Sequence, residues 1–132
     1  MGNKVEKFTV ATLIAHAKSE IVECNLPAVE IAIQNSSQLI IDVREPEEFA
    51  LGHIENAINI PRGVLEFRTD SNYPGVIESL SNKSANIVLY CRSGGRSALA
   101  AQSLLKLGYT SVVSVAGGFI ALQEANLPIC LS

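Results

Sequence analysis

The 132-residue sequence has no tryptophan, one methionine and only 5% aromatic residues. That leaves little from which to build the stacking platforms of single-strand nucleic-acid binders. Charge is sparse too: 17% of residues are charged, with ten Lys and Arg against thirteen Asp and Glu, a formal net charge of -3. Proteins that neutralise a phosphate backbone need the opposite sign, so no nucleic-acid partner is expected. The three cysteines are an odd number without metal-like spacing. A disulfide framework is excluded, and no metal or cofactor is expected. No apolar run approaches the ~20 residues of a membrane span, so no membrane partner is expected either. Internal repeats, low-complexity tracts and linker-like runs are missing. What is present is apolar: 48% hydrophobic residues and a mean hydropathy of +0.27. That excludes a disordered chain and suits one domain with a real core.

The N-terminus superficially imitates a leader. Lys4 and Lys7 precede Phe8 to Ile14, and Ala15-His16-Ala17 resembles a cleavage site. Two threonines interrupt the apolar stretch and Glu6 lies in the basic region, so export is not expected. Met1-Gly2 is not followed by a myristoylation motif, because Glu6 stands where Ser or Thr is required. The expectation is a soluble cytoplasmic protein with reduced thiols.

Strand and helix signals alternate. Residues 8–18 form a short amphipathic helix, and Ile21 to Cys24 a possible edge strand. Pro27 suits the first turn of a helix running to about Gln34. Leu39 to Val43 is an apolar run broken only by Asp42, the mark of a parallel strand covered on both faces. Pro46 and the acids around it open a helix that Gly52 ends. Ala57 to Pro61 is a short strand, and residues 62–81 hold one or two short helices broken around Asn72 to Gly75. Ile87 to Tyr90 is a second buried strand, residues 96–107 the clearest helix, and Ser111 to Val115 a further strand; Gly117-Gly118 turns into a last short helix. This order predicts an α/β fold: a central, mainly parallel sheet of about five strands with helices on both faces.

Cys91-Arg92-Ser93-Gly94-Gly95-Arg96-Ser97 lies between a buried strand and a helix. Ligands of open α/β sheets bind at the carboxyl ends of strands. The glycines let backbone N–H groups turn inward, and the helix start adds its positive end, which together cradle an anion above the Cys91 sulfur. The same field favours a thiolate, the nucleophilic form of cysteine. Two arginines in one short loop have no use in a core. Cys24, in an apolar strand, reads instead as an inert buried thiol.

Three blocks resemble the single-domain rhodaneses, a sulfurtransferase family: Leu39 to Phe49, Gly52 to Pro61, and the Cys91 loop. Val115 to Phe119 is similar to the family's closing turn. The resemblance divides the chain into an N-terminal helical arm, residues 1–19, and a rhodanese domain, residues 20–132. It implies a two-step transfer in which Cys91 takes a sulfane sulfur from thiosulfate or a persulfide donor, and the Cys91 persulfide passes it to a thiol or protein acceptor. Arg92, Ser93, Gly94, Gly95, Arg96 and Ser97 would bind the anionic donor. Arg96 and the loop amides would neutralise charge, Arg92 would face the entrance, and Ser97 would cap the helix or hydrogen-bond the sulfur. Phosphatases and arsenate reductases with a similar loop place five residues between Cys and Arg; here there are four. The shorter loop suits a sulfane sulfur.

Asp42 and Arg44 end a buried strand. Lining the pocket is one reading; the favoured one is support, with Asp42 capping the next helix or pairing an arginine beneath the loop. His53 reads as a hydrogen-bonded structural residue, since attack by a thiolate needs no general base. His16 is given no role. Cys130 is not assigned a resolving role, which would need an electropositive, exposed setting.

Overall fold

A computed structural model describes residues 7–131. The leader and myristoylation readings that turn on Met1, Gly2, Lys4 and Glu6 fall outside these residues. In chain order the elements are α1 (Val10–Glu20), β1 (Val22–Cys24), α2 (Leu26–Gln34), β2 (Gln38–Asp42), α3 (Pro46–Ala50), β3 (His53–Ile54), β4 (Ala57–Asn59), β5 (Asn86–Tyr90), α4 (Gly95–Lys106), β6 (Val112–Val115), α5 (Gly118–Glu124) and β7 (Ile129–Cys130). Five strands pair in parallel in the order β1-β6-β5-β2-β4. The expected α/β class and strand count hold, with β1 at an edge and β5 in the middle.

Alternating side chains of the central strands feed two separate cores, one on each face. Ile41, Val43, Ile87 and Leu89 join Ala100, Ala101 and Leu104 of α4 on one side. Ile40, Val88 and Tyr90 meet Val29 of α2 and Phe119 and Leu122 of α5 on the other. Burial on both faces is why β2 and β5 are continuous apolar runs.

Three features differ from expectation. Residues 62–81 contain three 3-10 turns, Arg62–Val64, Glu66–Thr69 and Glu78–Ser81, instead of one or two helices. The turn-forming run Asp70 to Gly75 separates the second from the third, and 3-10 helices are short by geometry. A small antiparallel ribbon, β3 with β7, has no signal in the sequence; it pairs His53 with Cys130 and Ile54 with Ile129. The first helix lies two residues later than residues 8–18, because Thr9 is its cap: the Thr9 hydroxyl accepts from Thr12 N–H at 3.1 Å.

α1 packs along α4, the helix that leaves the Cys91 loop. Ala17 is fully buried, Gln102 donates to Glu20 at 2.7 Å, and Ile14 sits against Gly95. A Cβ on Gly95 would come within 2.9 Å of Ile14 Cδ1, so glycine lets the arm lie close to the loop.

Candidate active site

β5 delivers Cys91 to the carboxyl edge of the sheet, and the next residues curl round its sulfur. Gly94 has φ +104, a left-handed conformation that glycine adopts without steric cost. That conformation turns its N–H onto Cys91 Sγ at 3.1 Å, and Ser97 N–H, in the first turn of α4, donates to the same sulfur at 3.3 Å. The Ser97 hydroxyl lies 3.5 Å from Sγ. A sulfur held by two backbone donors at a helix N-terminus is placed to carry negative charge. The closing turn locks the loop from behind: Phe119 N–H donates to Cys91 O at 2.8 Å and Ile120 N–H to Arg92 O at 3.1 Å. The approach is tight enough that a Cβ on Gly118 would fall 2.5 Å from Cys91 O.

The nominated loop residues take different stations. Arg92 and Ser93 are exposed, while Cys91, Gly94 and Ser97 are buried. Ser97 does not cap α4, whose cap position is Gly94; its hydroxyl faces the sulfur and the Ser114 hydroxyl, 2.8 Å away. Arg96 departs from expectation. Its guanidinium is not free in the loop but forms a two-pronged pair with Glu48 of α3, at 2.7 and 3.0 Å. The Arg96 hydrogen bonds hold the Glu48 carboxyl down at about 2, and Glu48 in turn raises the Arg96 pKa.

Asp42 and Arg44 form a buried support. Asp42 accepts from the Arg44 backbone N–H at 2.9 Å and from its guanidinium at 2.7 Å; Arg44 also donates to Gly52 O at 2.7 Å. Asp42 therefore does not cap α3. The Arg44 guanidinium lies 4.2 Å from the centre of the Phe119 ring, a cation–π contact that ties β2 to the closing turn. One edge of Arg44 reaches a cleft of ≈ 260 Å³ beside the loop, lined also by Glu48, Arg92, Phe119 and Gln123. His53 is buried, its ring stacked 3.7 Å from Phe49 with Nδ1 3.1 Å from Phe49 O. Burial and the neighbouring Glu23 push the Cys24 thiol up to about 11.

Sequence reasoning misses two residues of this arrangement. Glu48 reads locally as an acid in a helix first turn, and nothing nearby points to Arg96, 48 positions on. Ser114 carries a usable signal: on a strand reading Val-Val-Ser-Val it is a lone hydroxyl on a buried face, and such a group needs a partner.

The Glu48–Arg96 pair carries a pH signature. Because the folded pKa of Glu48 lies below its unfolded value, the pair stabilises the fold above the ordinary carboxylate range and is lost as pH falls through about 2. Both side chains are about one third exposed, so the stabilisation is held to about 1 kcal/mol or less. Glu48→Gln is expected to lower Tm by roughly 2–4 °C at pH 7. The gap from the unsubstituted protein narrows in melts taken toward pH 2.

The rhodanese-like domain family model matches residues 28–125. The chain is 40% identical over 91 residues to thiosulfate sulfurtransferase 16, chloroplastic, of Arabidopsis thaliana, covering 67% of this chain and 76% of that one. It is 37% identical over 91 residues to a sulfurtransferase of Allochromatium vinosum, covering 69% and 77%. It spans half the length of two other plant relatives. A solved structure from Rhodopseudomonas palustris, described as a protein of unknown function and possible tyrosine phosphatase, aligns with a TM-score of 0.85 at 28% identity. That alignment covers 98% of this chain, α1 included, and all of the other. The chain belongs to the rhodanese-like domain family. Among the described residues no helix is long and apolar enough to cross a membrane.

Proposed function

We propose that the protein is a sulfurtransferase that moves a sulfane sulfur from thiosulfate or a persulfide donor to a thiophilic acceptor through a persulfide on Cys91. The observation that carries this reading is the seating of Cys91 Sγ on two backbone N–H donors, Gly94 and Ser97, at the start of α4. The relatives that bear the sulfurtransferase name support it.

With thiosulfate, the Cys91 thiolate attacks the outer sulfur. A new S–S bond forms, the donor's S–S bond breaks, and sulfite leaves with the bonding electron pair. The Cys91 persulfide anion then takes the place of the thiolate, and the same loop amides face its charge. In the second step an acceptor nucleophile, cyanide in an assay or a thiolate in the cell, attacks the outer persulfide sulfur and the Cys91 thiolate departs. Arg92, exposed at the cleft, draws in the anionic donor. Arg96 acts at one remove, its pair with Glu48 bracing the loop. The Asp42–Arg44 support holds the closing turn that carries Phe119. The described part of the arm, residues 1–19, buttresses the loop of the domain, residues 20–132, through Ile14. A reducing compartment such as the cytoplasm keeps the three thiols available.

A loop with four residues between Cys91 and Arg96, whose arginine is already engaged by Glu48, argues against phosphate-ester hydrolysis. The test is a side-by-side assay. Thiocyanate from thiosulfate and cyanide, with no p-nitrophenol released from p-nitrophenyl phosphate, is the expected result. Phosphatase turnover with no sulfur transfer from any sulfane donor would overturn the reading.

A further inference from the structure

Ser114 stands out in β6. It is fully buried, on the strand face shared with Val112 and covered by α4, where an apolar side chain would pack. Its hydroxyl lies 2.8 Å from that of Ser97, and Ser97 in turn lies 3.5 Å from Cys91 Sγ and 3.4 Å from Gly94 O. Sulfur, hydroxyl and hydroxyl thus form a short chain running from the reactive atom into the sheet. Each hydroxyl has one hydrogen and can also accept. When Cys91 is a thiol, its S–H points at the Ser97 oxygen, and Ser97 can donate to Ser114. When Cys91 carries charge, Ser97 must turn its hydrogen toward the sulfur, and its oxygen is then best served by a hydrogen from Ser114. The 2.8 Å contact serves either direction.

We propose that Ser114 is a positioning residue for sulfur transfer: by donating to Ser97 it frees the Ser97 hydrogen for the Cys91 thiolate, and it reverses that bond when the thiol returns. The inference rests on the reading of Cys91 as nucleophile and adds a residue outside the loop. No covalent bond changes in this step; two hydroxyls rotate. The charged groups about Cys91 are Arg92 and Arg96 in the loop, Glu48 and Glu45 near Arg96, the Asp42–Arg44 pair at the end of β2, and Lys18 of α1 beside Gly94 with its partner Glu23. All are unaltered by substitutions at position 114, so a change in Cys91 titration would report the hydroxyl.

The experiment is the pH dependence of Cys91 alkylation by iodoacetamide in the full chain, read peptide by peptide by mass spectrometry. Ser114→Ala is expected to raise the midpoint by about half a pH unit, and Ser97→Ala by about one unit. Ser114→Ala added to Ser97→Ala is expected to bring no further shift, because the first acts through the second. The isosteric pair Ser114→Thr and Ser114→Val separates hydroxyl from packing: Thr should keep the original midpoint and Val should match Ala. A midpoint that Ser114→Ala and Ser114→Val leave unchanged, with only Tm lowered, would reduce Ser114 to a structural residue and overturn the inference alone. An unsubstituted protein that forms no thiocyanate from any sulfane donor would overturn the proposed function, and this inference with it.

Discussion

Cys91→Ser is expected to lower thiocyanate formation by roughly a thousandfold or more while leaving the fold intact. The change replaces one buried atom. Gly94 and Ser97 N–H would still point at the hydroxyl, the closing turn would still hold the backbone oxygen of residue 91, and Arg92 would still face the cleft. What disappears is a polarisable nucleophile able to form and break bonds to sulfur. On the proposed reading donor capture depends on the loop and on Arg92, so thiosulfate affinity should fall far less than turnover. Isothermal titration beside a thiocyanate assay separates the two. Turnover within tenfold of the unsubstituted protein would move the nucleophile elsewhere.

The second large effect is on stability. Asp42→Ala is expected to cost about 3–5 kcal/mol, because it leaves the Arg44 guanidinium buried without its counter-charge. Both side chains are almost completely out of solvent. The penalty is that of an orphaned charge rather than the net worth of the pair, so Asp42→Ala combined with Arg44→Met should recover much of the loss. Denaturant unfolding of both variants reads this directly. Activity of Asp42→Ala should fall as well, since Arg44 also packs on Phe119, whose N–H holds Cys91 O. A loss below about 1 kcal/mol would mean that Arg44 escapes to solvent along the cleft.

Much of this arrangement is legible in the amino-acid sequence. Leu39 to Val43 and Ile87 to Tyr90 read as parallel strands because both of their faces are covered, and continuous apolar runs are what that requires. The Cys91 loop is legible because Gly-Gly between arginines, after a buried strand, has few uses other than an anion cradle. The β3–β7 ribbon is not: two-residue strands are too short to show a period, and their partner lies far along the chain. The same holds for Arg96. Its charge and position suggest a donor-binding group, but the partner that claims it, Glu48, is brought near by tertiary folding alone. Asp42 and Arg44 leave two supporting roles open in the sequence, and the pairing at 2.7 Å decides between them. Ser114 is easily passed over because a single serine within a strand is common; what gives it meaning is the hydroxyl of Ser97 across the α4 interface.

Intact-mass spectrometry of the full chain after incubation with thiosulfate, followed by a small thiol, tests both half-reactions on one molecule. One added sulfur atom is expected, located by fragmentation on Cys91, absent from Cys91→Ser, and removed when the thiol is supplied. An unmodified chain with every sulfane donor tried, or sulfur carried on Cys24 or Cys130 instead, would refute a Cys91 persulfide as the working intermediate.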